Sequence, residues 1–219
     1  LYISDPVTEN HQWSTNAASG TWGTGSNWSA AGTPADLWIA EVHNVSGSNQ
    51  TAVVTADSNV FQIAVSGDPG AKMTVEIQSG MTLTTFGQAL IETDGEVHLD
   101  GGKLDSQVVN IEGGTLSGNG EVFAGTGPID GVVRNLSGRI EPEGLLTITG
   151  DLSNLEDATI AMDLFSGGND MIDVSRGLFL DGTLEVSRDP NFTPAVGQQF
   201  TLFTFDSFVS LGFENTILP

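Results

Sequence analysis

The sequence predicts an all-β protein built as a β-solenoid, and three observations predict it. Strand signals are short, alternate with period two and are punctuated by Gly, Asp, Asn and Ser, as in Leu37–Val42, Val60–Val65 and Met73–Ile77. Helix signals are nearly missing: from 37 to 219 no ten-residue stretch carries a 3.6 period free of glycine or a β-branched run. A short motif also recurs, glycine then one residue then an aliphatic. It stands at Gly102-Lys-Leu104, Gly114-Thr-Leu116, Gly138-Arg-Ile140 and Gly182-Thr-Leu184. A one-residue-longer form is Gly80–Leu83, and Ile160 fills a similar place. The aliphatics lie 21, 12, 24, 20 and 24 residues apart. Apart from the half-step between 104 and 116, that is the period of a solenoid whose coils stack through parallel ladders about 4.8 Å apart.

Three segments follow. Residues 1–36 form a Trp-rich N-terminal segment, 37–190 the solenoid, and 191–219 the terminal strands. In the first, Trp13, Trp22 and Trp28 sit among Ser, Thr, Asn, Gly and Ala. A solenoid end exposes an apolar core and an open ladder, and large aromatics cover both, so this segment reads as a cap or assembly surface. The other reading is a platform on which sugars stack.

The middle segment carries further strands at Glu96–Leu99, Val108–Ile111, Leu146–Thr149, Thr159–Leu164, Met171–Val174 and Thr183–Val186. Turn dipeptides (Asp94-Gly95, Asp100-Gly101, Asn119-Gly120, Asp130-Gly131, Asp181-Gly182) would equally suit hairpins. They keep an antiparallel sandwich open as an alternative for 145–219. In the last segment Phe200, Phe203, Phe205, Phe208 and Phe213 supply five of the eleven phenylalanines, beside Leu202, Val209 and Leu211. They read as final core strands with a C-cap, or as a contact surface for a neighbouring copy.

Charge and composition exclude several function classes. Acids outnumber bases 28 to 6, a net charge of −22. Six scattered bases cannot make the basic face that nucleic acid or an anionic membrane requires. No cysteine is present, so disulfides and thiolate metal sites are impossible. No apolar run approaches the roughly 20 residues that span a bilayer. Yet 38% hydrophobic residues suffice for a core. The chain opens without a basic, apolar leader and stops inside an apolar pattern, so it reads as a mature or partial chain.

Residues 13 to 34, with the spacing Trp13…Trp22…Asn27-Trp28…Pro34, resemble the opening of bacterial autotransporter-type β-strand repeat proteins. Leu116–Val122, Gly131–Asn135, Gly138–Pro142, Leu145–Asp151 and Leu180–Val186 are similar to the later pattern of the same group. Pro194–Phe203 resembles text near the end of secreted β-helix proteins that carry a PEP-CTERM sorting tail. The resemblance implies a right-handed parallel β-helix on a bacterial surface or in its extracellular matrix. It implies a fold and an export route, not a reaction. Neither an autotransporter barrel nor a sorting tail lies within these 219 residues.

Catalytic patterns are weak. A polysaccharide lyase needs a base and charge neutralisation, and only Lys72, Lys103, Arg134, Arg139, Arg176 and Arg188 are at hand. A hydrolase needs two carboxylates at fixed separation; Asp170 with Asp173, or Asp94 with Glu96, are pairs that 28 acids make by chance. The turn Ser166–Asp173 is a candidate calcium site through Asn169, Asp170 and Asp173. His11, His43 and His98 are too scattered for a metal site. No phosphate-binding or dinucleotide fingerprint is present. The sequence therefore reads as a non-enzymatic extracellular structural protein with no required cofactor, calcium being the one ion considered. Its expected partners are copies of itself in a surface layer or filament. Second comes a carbohydrate-binding adhesin for extracellular polysaccharide, and third a polysaccharide-degrading enzyme. Asn169, Asp170 and Asp173 are the metal candidates. Trp13, Trp22, Trp28, Phe203, Phe205, Phe208 and Phe213 are the assembly or binding candidates.

Overall fold

A computed structural model gives the fold. It describes residues 10–13, 19–29, 32–35, 38–125, 131–208 and 212–219, without the side chains of Asn10 and Phe208. The described strands are β1 (Asn10–Gln12), β2 (Gly20–Thr21), β3 (Ile39–Asn44), β4 (Gln50–Val54), β5 (Ser58–Val60), β6 (Gln62–Gly67), β7 (Met73–Gln78), β8 (Thr82–Glu92), β9 (Gly95–Glu112) and β10 (Thr115–Phe123). They continue with β11 (Val132–Asn135), β12 (Arg139–Thr149), β13 (Asp151–Asn154), β14 (Thr159–Phe165), β15 (Gly168–Asn169), β16 (Met171–Phe179), β17 (Thr183–Arg188), β18 (Phe203–Phe208) and β19 (Asn215–Ile217). A single short 3-10 turn, Gly25–Asn27, is the one helical element among the described residues.

These strands wind into a parallel β-solenoid with three walls. On the first wall the register runs His11, Ala40, Ile63, Ala89, Val109, Val133, Leu152, Leu178, Phe208. On the second it runs Ala52, Val75, Val97, Leu116, Ile140, Ile160, Leu184, Thr216. On the third it runs Leu83, Leu104, Val122, Ile148, Val174, Phe205. Long strands such as β9 bend round corners and serve all three walls. Inward positions are almost all aliphatic and fully buried, while their neighbours face out, which is the period-two pattern of the sequence. Each buried Leu, Ile or Val contributes roughly 1.5–3 kcal/mol.

The repeat seen in the sequence is real but spans two walls. Leu83 and Leu104 stack on the third wall, whereas Leu116, Ile140, Ile160 and Leu184 stack on the second. The 12-residue half-step is the path from the third wall through the first to the second within one coil. The motif glycines sit where rungs approach most closely. A Cβ on Gly138 would lie 2.4 Å from Ile111 Cγ2 and 2.5 Å from the Gly114 carbonyl oxygen. Gly80 differs: nothing lies within 4 Å, and its φ of +78° makes it a turn glycine.

The sandwich alternative for 145–219 does not form. β14 with β17, β16 with β18 and β17 with β19 all pair in parallel. Among the described residues, antiparallel pairing is confined to the small β14–β15 hairpin and two isolated bridges, Trp13–Trp28 and Glu92–Gly113. The dipeptides Asp94-Gly95, Asp100-Gly101, Asn119-Gly120 and Asp181-Gly182 turn corners between walls instead of reversing the chain. Asp130 lies outside the described residues. The walls run on through both flanking segments: β1 and β2 belong to the first rungs, β18 and β19 to the last.

Candidate functional site

The two ends of the solenoid are built differently. At the N-terminal end Trp13, Trp22 and Trp28 are only 2%, 1% and 4% exposed. The Trp22 amide donates to the Val53 carbonyl and the Trp13 amide to that of Glu41, which seats both indoles on the ends of wall ladders. Trp28 meets Trp13 and Trp22 edge to face, at 5.2 and 4.8 Å between ring centroids, and its Nε1 donates to the Trp22 carbonyl. This is a lid over the core. A sugar-stacking platform needs an open indole face, and these three offer none.

In the last described rung the inward columns continue into phenylalanines. Phe203 continues Leu146 and Ile172, and Phe205 continues Ile148 and Val174. Val174 is 1% exposed and Phe205 is 43% exposed, because among the described residues no strand lies beyond β18. Phe213 packs on Phe203 at 6.0 Å between centroids, and Leu184 and Leu202 are half-buried beside them. Ile217 and Leu218 are exposed. Among the described residues β18 pairs with β16 and β19 with β17. Phe208 pairs with Leu178 through its backbone; its side chain, with Val209 and Leu211, lies outside the described residues.

The candidate calcium residues do not converge. Asp170 is buried at the corner between the second and third walls, where its carboxylate accepts from the Gly144 amide (2.7 Å) and the Asp163 amide (2.7 Å). Burial raises its pKa, and the two amide bonds only partly offset that. Asn169 donates to the carbonyls of Asp170 and Thr201. Asp173, three residues on, faces outward and accepts from the Thr204 hydroxyl. Asp170 thus staples successive rungs. Among the described residues no group of three or more His, Asp or Glu could hold a metal ion.

The outer surface of the second wall carries a cross-rung polar network. Lys72 Nζ lies 2.7 Å from Glu96, which also accepts from Thr74 and Ser117. Arg139 reaches Glu185 two rungs away at 2.7 Å and Glu141 at 3.4 Å. The basic residues weighed for a lyase are therefore engaged in cross-rung pairs at Lys72 and Arg139.

One constellation escaped the sequence reading. His43 Nδ1 lies 2.8 Å from Ser66 Oγ, and its Nε2 lies 3.3 Å from Asp68. The order of groups is that of a nucleophilic triad. Here, however, Ser66 and His43 are simply paired residues of adjacent rungs, on an open wall with His43 and Asp68 about half exposed. The neighbouring amides of Gly67 and Asp68 are committed to the Thr93 and Asn44 carbonyls, so neither can serve as an oxyanion donor. His98 and Ser117 repeat the contact at 2.9 Å on the second wall, which marks it as a ladder pair. Sequence spacing could not find these pairs without the rung register.

Comparison with known proteins finds no matching family model, no matching curated protein and no matching solved structure. What the geometry itself defines is a class: a parallel, three-walled β-solenoid with a buried tryptophan cluster at its N-terminal end.

Proposed function

We propose that this chain is a structural protein of the bacterial cell exterior that associates with copies of itself through its C-terminal rung. The observation that carries the reading is the last described rung, β18 and β19, where buried columns lead into an exposed Phe205 and a half-buried Phe203. Exposed aromatics of this kind are covered most fully by another rung of the same cross-section, which buries the phenylalanines together. The tryptophan lid blocks the opposite end, so two C-terminal rungs meeting about a two-fold axis is the favoured contact. Growth into a layer or filament requires displacement of the lid. The exterior location rests on the acidic, cysteine-free composition and the resemblance to autotransporter-type repeats.

Two subunits of net charge −22 repel each other, and ions must screen that repulsion. In sedimentation velocity at 150 mM NaCl the chain forms dimers as its concentration rises, with or without a chelator, and stays monomeric at 5 mM NaCl. Phe205→Asp abolishes the dimer without loss of the β spectrum. A wild type that stays monomeric at all concentrations and salts, or a Phe205→Asp variant that associates equally well, contradicts the proposal.

A further inference from the structure

The corner between the third and first walls carries an exposed aromatic and amide stripe. Phe61 and Phe86 are 37% and 55% exposed. The Phe61 amide donates to the Trp38 carbonyl, and the Gly87 amide to the Phe61 carbonyl, so Trp38, Phe61 and Phe86-Gly87 occupy this corner on successive rungs. The Phe61 ring lies against the next rung: a Cβ on Gly87 would make ordinary contact with Phe61 Cε1 at 3.5 Å, and would crowd the Phe61 carbonyl oxygen at 2.9 Å. Beside the rings, the register of Ile63 with Ala89 sets Gln62 next to Gln88. Asn110 Nδ2 donates to Gln88 Oε1 at 3.3 Å, while Asn110 Oδ1 is enclosed and accepts no hydrogen bond.

The stripe itself is uncharged, with Glu41 beside Ala64 and Asp105 beside Thr84 at its margins. Residues 58–64, 83–91 and 106–111 contain no Asp, Glu, Lys or Arg, in a chain with 28 acids and 6 bases. A solvated wall of so acidic a protein needs neither bare phenyl rings nor a charge-free band. We propose that this corner binds a neutral polysaccharide laid along the solenoid axis. Phenyl rings accept the C–H faces of pyranose rings, and side-chain amides satisfy their hydroxyls. The rungs repeat at about 4.8 Å, of the order of one extended sugar unit, so Phe61 and Phe86 on neighbouring rungs meet successive residues of the glycan. The absence of charge selects neutral chains over polyuronates, which the acidic surface repels. This corner is separate from the C-terminal rung and does not depend on self-association.

Affinity electrophoresis through gels holding soluble β-glucan, mannan, galactan or alginate tests it. At least one neutral polysaccharide retards the wild type and alginate does not. Phe61→Ala and Phe86→Ala each weaken retardation tenfold or more, whereas Phe165→Ala, an exposed phenylalanine on the β14–β15 hairpin, leaves it unchanged. Circular dichroism checks that both variants fold, and Phe205→Asp retains binding. Lack of retardation by every neutral polysaccharide overturns the proposal, as does retardation that survives both phenylalanine changes. If Phe86→Ala alters sedimentation but not retardation, the stripe is a contact between copies and the proposal fails.

Discussion

Three hydrogen bonds and an ion pair converge on the Glu96 carboxylate, and they show how single residues tie this wall together. Burial alone would raise its pKa. Hydrogen bonds from Lys72, Ser117 and Thr74, with the Lys72 charge, outweigh burial and hold the carboxyl below the ordinary glutamate range. Because the folded pKa is depressed, its stabilisation is present above the unfolded value and is lost as pH falls through the folded one. Lys72 is 43% exposed, so screening by solvent keeps the contribution modest, about 1–2 kcal/mol. Glu96→Gln is expected to lower the urea midpoint at pH 7, and the gap from wild type to shrink as pH falls below 4. A gap that persists unchanged at pH 3 contradicts this. Nothing in the sequence singles out Glu96 among 28 acids; its partners lie 22, 21 and 24 residues away and meet only through the rung register.

At the scale of the element, the rung is the unit, and its corners are as specific as its strands. Asn135 shows one such corner: its side chain donates to Asn154 and to the Thr159 carbonyl, and accepts from the Gly138 amide. Gly138 closes the same corner with no room for a methyl group. Gly138→Ala is therefore expected to destabilise by about 2 kcal/mol or more in urea unfolding. Equal tolerance at Gly138 and at a site with open space around it, such as Gly23, would contradict the close-approach account. The short strands and motif glycines were legible in the sequence, because alternation and close approach leave a local trace. The wall assignment was not. A glycine-x-aliphatic motif looks alike on the second and third walls, and Asp-Gly turns look alike whether they reverse the chain or turn a corner. Parallel pairing is non-local and no residue type encodes it; the 20- to 24-residue spacing of the motif is what predicted it.

At the scale of the molecule, the contrast between ends governs the functional reading. Both aromatic clusters stand out in the sequence, yet the Trp and Phe clusters meet opposite fates. The tryptophans are folded inward as a lid, while Phe205 is left exposed at the end of an inward column. Sequence alone could not separate them, since exposure depends on whether a further rung lies beyond. The exposed corner around Phe61 and Phe86 stayed hidden for a related reason. Each ring sits singly at its own corner, 25 residues from the other, and only stacking brings them to one edge.

The central claim is that copies meet at the last rung, and amide hydrogen exchange on dilute and concentrated protein locates that contact directly. In 150 mM NaCl, protection of the amides in Phe203–Phe208 and Asn215–Ile217 is expected to rise with protein concentration while that of β9 and β12 stays constant. Protection at the last rung that does not change with concentration, while the mass does, would contradict the account and place the contact elsewhere.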